Sequence, residues 1–131
     1  MLILATATRL WDLGNPHVLV FDETFYVKDA WTLWNNGYES TWLADADKAF
    51  NAGDTSLFTQ TGSFVVHPEL GKWLIALGMG AFGAGNAVGW RIAVAIAGIL
   101  IVALIMLVAQ RLTGRSEEHT SELQSRLQIS Y

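Results

Sequence analysis

Two adjacent carboxylates, Asp22 and Glu23, stand among aromatic residues in Phe21-Asp22-Glu23-Thr24-Phe25-Tyr26, and they are the first candidates for chemistry. A carboxylate held against apolar rings is costly unless a partner or a function retains it. Side chains of neighbours diverge in an extended segment. The pair therefore fits one general base with a supporting group, rather than the two opposed acids of a glycosidase, which stand about 5 to 9.5 Å apart across the bond they cleave. The competing use of Asp22 is structural: it precedes a helical pattern, where its oxygens suit the free N–H groups of a first turn. A second cluster, His67-Pro68-Glu69-Leu70-Gly71-Lys72, closes the same polar segment. His67 is suited to orient a substrate or to make a structural hydrogen bond. Lys72 is suited to an anionic ligand, to an ion pair with Glu69 three residues before it, or to snorkelling.

The elements that must position these groups belong to a membrane protein. Of 131 residues, 52% are hydrophobic, the mean hydropathy is +0.32, and the apolar residues are unevenly spread. Residues 1–13 read as the end of a first membrane helix whose beginning lies outside the sequence, since only eight residues precede Arg9 and a span needs about 20. Residues 14–67 read as a loop on the exported side. Within it Val27, Ala30, Trp31 and Trp34 recur at helical spacing before the stop at Asn35-Asn36-Gly37, giving an amphipathic helix for the bilayer surface or a neighbouring domain. Glu39 to Ser63 shows no sustained period and reads as a loop, with Asp45, Asp47 and Asp54 as solvated surface. Residues 68–83 are expected to form a second membrane helix opened by Pro68, and 84–91 a cytoplasmic turn with Trp90 and Arg91 at the interface. That topology places Arg91 on the face away from the acidic pair. Residues 92–110 are expected to form a third membrane helix, because Ile92 to Ala109 is uninterrupted by charge.

Several function classes fall away. The net charge of -4 leaves no basic patch for nucleic acid. With no cysteine there is neither a disulfide framework nor a thiolate metal site. Gly78-Met79-Gly80-Ala81-Phe82-Gly83 fits a dinucleotide-binding spacing but has membrane-like flanks, so its small residues are expected to let helices approach closely. Residues 115–131 turn abruptly polar and resemble the conceptual translation of a sequencing adapter. They are expected to be foreign to the fold.

The ordered blocks Val20-Phe21-Asp22-Glu23-Thr24-Phe25-Tyr26-Val27-Lys28-Asp29-Ala30-Trp31, Gly37-Tyr38-Glu39, Val65-Val66-His67-Pro68-Glu69-Leu70-Gly71-Lys72-Trp73-Leu74-Ile75 and Gly89-Trp90-Arg91 together resemble the bacterial branch of the protein O-mannosyltransferase family. The pattern departs from that family at Glu69, where many members carry a second proline, and at Phe25. The resemblance implies an α-helical membrane protein, here the N-terminal fragment of a multi-spanning glycosyltransferase of the GT-C type in the plasma membrane. It implies inverting transfer of mannose from polyprenyl-phosphate-mannose to Ser or Thr hydroxyls of an exported acceptor polypeptide. Asp22 then matches the catalytic base and Glu23 its neighbour, while His67 and Lys72 fall in the substrate-binding block. No cofactor is certain beyond the lipid-linked sugar donor, and a divalent metal stays open. The fragment alone is expected to be inactive. The alternative is a non-catalytic membrane protein that binds a partner through Trp31, Trp34 and Trp42.

Overall fold

A computed structural model describes residues 1–128, with side chains described through Thr113. The expected foreign tail therefore lies outside the described residues at 129–131 and outside the described side chains from 115 on. Seven elements follow in order: α1 (Leu2–Leu10), α2 (Glu23–Asn36), β1 (Ser40–Trp42), α3 (Ala46–Asn51), β2 (Phe58–Gly62), α4 (Glu69–Phe82) and α5 (Ala87–Gln128).

Helix α2 forms where the apolar spacing places it, and Gly37 ends it with φ 78°, sending its N–H back to the Leu33 carbonyl. Val27, Ala30 and Leu33 form its buried face, and Val27 and Ala30 join Ala76 and Met79 of α4, Phe50 of α3 and Trp90 at the start of α5 in one core cluster. Fully burying a Val, Leu, Phe or Met side chain contributes about 1.5–3 kcal/mol, so this shared core holds α2 in place. The segment expected to be an open loop is ordered by the same core. Strands β1 and β2 pair antiparallel with an irregularity between Ser40 and Trp42, and the Trp42 ring packs edgewise on Phe50 and Phe58. Asp45 and Asp47 meet Lys48 and Lys28, while Asp54 accepts from the Ser56 amide and hydroxyl in a turn.

Among the described residues one helical stretch, Ala87–Thr113, is long and apolar enough to cross a membrane. Helix α4 has 14 residues and rises about 21 Å, short of the roughly 30 Å hydrocarbon core. Among the described residues, the stretch expected to form the second membrane helix is this shorter helix, which packs against α2 and α5. The small residues do permit close approach: a Cβ at Gly78 would stand 2.2 Å from the Gly89 carbonyl oxygen of α5, and one at Gly80 would stand 3.1 Å from the Trp34 ring. Residues 87–91 are the first turn of α5 rather than part of a longer loop. The preceding turn packs toward Gly53, and Trp90 sits 6.0 Å from the Phe50 ring. The first turn of α5 lies beside the acidic segment, Arg91 bonding Glu23, which corrects the expectation that Arg91 stands on the opposite face.

Helix α1 runs antiparallel to α5. Arg9 lies over Gly98, and farther along the chain the Leu13 carbonyl accepts from Arg91.

Candidate active site

Asp22 sits at the junction of an extended segment and α2. Its backbone carbonyl accepts from the Phe25 and Tyr26 amides, both at 3.0 Å, yet its side chain makes no capping bond. The structural use available to Asp22 is therefore fulfilled by its backbone, and its carboxylate stays exposed and unengaged among the described residues. Phe21 immediately before it adopts φ 49°, a left-handed conformation that costs an aromatic residue about 1–3 kcal/mol, and its side chain is 93% exposed. This turn sends Asp22 and Glu23 in different directions.

Glu23 is bound. Arg91 holds it with two parallel bonds, Nε to Oε1 at 2.7 Å and Nη2 to Oε2 at 2.9 Å, and the Val20 amide donates to Oε2 at 3.1 Å. The same guanidinium donates to the carbonyls of Leu13, Pro16 and Val18, which closes the segment between α1 and α2 onto α5. Arg91, expected on the far face, is thus the direct partner of the acidic motif. Burial opposes the charge on Glu23, but the Arg91 and Val20 hydrogen bonds outweigh it and hold the carboxyl below its ordinary value. A carboxylate depressed in this way stabilises the fold at neutral pH and loses that contribution as pH falls through its folded-state value. Arg91→Met leaves burial as the dominant influence, so Glu23 takes up its proton at higher pH. Acid unfolding of the protein in detergent, followed by tryptophan fluorescence, is expected to begin at a higher pH in this variant than in the wild type. An unchanged midpoint would show that the pair does not contribute.

Lys72 meets neither Glu69 nor open solvent. Its ammonium donates to Glu39 Oε1 at 2.6 Å and Asp29 Oδ2 at 3.0 Å, and Lys72 is 2% exposed. Burial lowers the ammonium's affinity for its proton, but the bonds to Glu39 and Asp29 prevail and hold its pKa above the ordinary value. Its charge is already matched by two carboxylates, so it ties α4 to α2 and to the start of the β-hairpin. His67 lies in the segment before α4, with its ring centroid 5.5 Å from that of Tyr26.

Two clefts meet at Asp22. The first, about 530 Å³, lies between α1, α2 and α5. It is lined by Arg9, Leu13, Asp22, Glu23, Tyr26 and Arg91, with apolar walls from Ile75, Val94 and Ala95. The second, about 500 Å³, opens toward the chain between β2 and α4 and is lined by Asp22, Phe25, Asp29, Phe64, His67 and Lys72. The four residues singled out by sequence fall around these clefts: Asp22 in both, Glu23 in the first, His67 and Lys72 in the second. Sequence reasoning passed over Arg9, Asp29 and Glu39 and discounted Arg91. A cation ending an apolar run was the available signal for Arg9. Asp29 and Glu39 stand inside the blocks that carry the resemblance, but no spacing tied them to Lys72, which they reach across 43 and 33 residues of chain.

An unengaged carboxylate thus stands at the mouth of an apolar, arginine-lined cleft beside a helix of membrane-spanning length. The chain belongs to the dolichyl-phosphate-mannose-protein mannosyltransferase family, a family of membrane glycosyltransferases, whose model matches residues 1–118. It is similar to the polyprenol-phosphate-mannose–protein mannosyltransferase of Mycolicibacterium smegmatis, 37% identical over 114 residues, covering 84% of this chain and 18% of that protein. The Mycobacterium tuberculosis protein of the same name is 36% identical over 115 residues, covering 85% and 18%. The Corynebacterium glutamicum protein of that name is 40% identical over 119 residues, covering 86% and 20%. The chain thus spans about a fifth of the length of these relatives. No solved structure matches it.

Proposed function

We propose that this chain forms the acid-motif end of an enzyme that transfers mannose from polyprenyl-phosphate-mannose to Ser or Thr hydroxyls of an exported polypeptide. The observation that carries the reading is Asp22, exposed, unpaired and shared by two clefts. The first cleft adjoins the membrane helix and suits a lipid-linked donor; the second opens away from it and suits a polypeptide acceptor. The hydroxyl oxygen attacks the anomeric carbon from the side opposite the phosphate, while its proton passes to Asp22. The bond from that carbon to the phosphate oxygen breaks, and its electron pair leaves on the phosphate. A single displacement inverts the anomeric configuration. A serine hydroxyl is a poor nucleophile at neutral pH, so a positioned base is the assistance it needs; the departing phosphate is already a stable anion and needs no general acid.

Glu23 acts through position, because its grip on Arg91 fixes the turn that carries Asp22. His67, beside Tyr26, orients the acceptor. Lys72 keeps Asp29 and the hairpin in place around the second cleft. In the full-length protein this region faces the exported side of the plasma membrane, with further spans beyond α5 completing a GT-C type enzyme. The partner-binding alternative loses support because the Trp31 indole donates to the Thr55 carbonyl at 3.0 Å and Trp42 packs on Phe50 and Phe58; only Trp34 of the three is exposed. Full-length protein in membrane vesicles, given polyprenyl-phosphate-mannose and a Ser/Thr-containing peptide, is expected to yield mannosylated peptide with inverted linkage. Correctly inserted protein that transfers nothing would overturn the reading.

A further inference from the structure

Arg9 of α1 differs from Arg91 of α5 in one respect that bears on the first cleft. Arg91 is matched by Glu23, whereas Arg9 makes no ion pair among the described residues. Its one hydrogen bond is a long one, from Nη1 to the Ala5 carbonyl of its own helix at 3.4 Å. Gly98 makes room for it: a Cβ there would stand 2.5 Å from Arg9 Nε and 3.1 Å from Cδ. Gly98 is seven residues beyond Arg91, about 10 Å farther along α5 at 1.5 Å per residue, inside the stretch apolar enough to span a bilayer. A cation at that depth without a carboxylate is expensive, and such residues mark ligand pathways. Arg9 also lines the first cleft together with Asp22.

We infer that Arg9, seated on Gly98, is the anion anchor of this cleft and takes the phosphate of a prenyl-linked phosphosugar. The inference rests on the donor reading given above. The phosphate meets the unpaired guanidinium at the membrane level, the prenyl tail follows the apolar wall of Val94 and Ala95, and the sugar points up toward Asp22. Glu23 blocks Arg91 from the same task. Gly98 is a positioning residue, since any side chain there displaces the guanidinium.

Two measurements on the full-length protein in proteoliposomes test this. The first is binding of polyprenyl phosphate, a probe that needs no turnover. Charge-assisted hydrogen bonds contribute about 1.5–3 kcal/mol, so Arg9→Gln is expected to weaken binding about ten- to hundredfold. Arg9→Lys should recover part of that loss, and Gly98→Leu, which keeps the charge but fills its seat, should reproduce it. The second is transfer kinetics, where KM for the donor should rise and KM for the acceptor peptide stay put. Undiminished binding in either Arg9→Gln or Gly98→Leu overturns the inference, and each serves if the other fails to insert. If vesicles rich in phosphatidylglycerol abolish the binding difference, Arg9 serves bilayer headgroups, and the inference also fails. Should the wild type bind polyprenyl phosphate through Arg9 yet transfer no mannose, the anchor stands and the transferase reading falls.

Discussion

Asp22→Asn in the full-length protein is expected to lower mannosyl transfer by about 10²–10⁴-fold, the range a positioned general base supplies, without loss of membrane insertion. The substitution keeps size and shape and removes the proton acceptor. It also breaks nothing: the Asp22 side chain makes no capping bond, and the first turn of α2 is closed by its backbone carbonyl. Surface changes of this kind fall within about 0.5 kcal/mol of neutral, so unfolding temperature should match the wild type. Single-turnover transfer assays with saturating donor isolate the chemical step. Transfer at the wild-type rate would remove Asp22 from the mechanism.

The largest stability effect belongs to Lys72. Lys72→Met leaves the Glu39 side chain, which is 0% exposed, and the Asp29 side chain, 21% exposed, facing one another without their cation. Removing one member of a buried pair costs about 3–5 kcal/mol, because the other charge stays in place uncompensated. Glu39 already has Oε2 without a hydrogen bond, so Lys72 supplies its only contact of this kind among the described residues. Thermal unfolding in detergent should show a large drop in midpoint. Adding Glu39→Gln to Lys72→Met should restore part of it, because the two positions are coupled. A midpoint unmoved by Lys72→Met would mean that the clasp holds nothing together.

How much of this was legible in the sequence follows from the range of the interactions. Helix α2, its glycine stop and the apolar span of α5 are local patterns, and each formed where its spacing placed it. The acidic pair and the His67–Lys72 block were recognisable as residue types and as ordered motifs. What local pattern could not carry was pairing across long separations. An apolar stretch such as α4 looks the same whether lipid or another helix covers it, and here α2 covers one face. Arg91 was placed on the wrong side because interface-favouring residues mark a depth, not which of two surfaces they stand at. Its partner Glu23 lies 68 residues earlier, and only the fold brings them together. The irregular segment after Glu39 was read as loop because its strands are short and its one turn of helix is held by Phe50, a single aromatic in a distant core.

One consequence of the geometry concerns counting rather than chemistry. Helix α5 runs unbroken from Trp90, locked in the outer core, past Gly98 into the apolar stretch. It works as a graduated mast: each residue adds about 1.5 Å of height and 100° of rotation. Between Arg91 and Gly98 there are almost two full turns, so both stations face the same cleft. Side chains on the outer surface of this interval are free to vary, but its length is not. One inserted residue would swing the seat of Arg9 by more than a quarter turn and lower it relative to the acidic motif, leaving every side chain intact and the two levels out of phase.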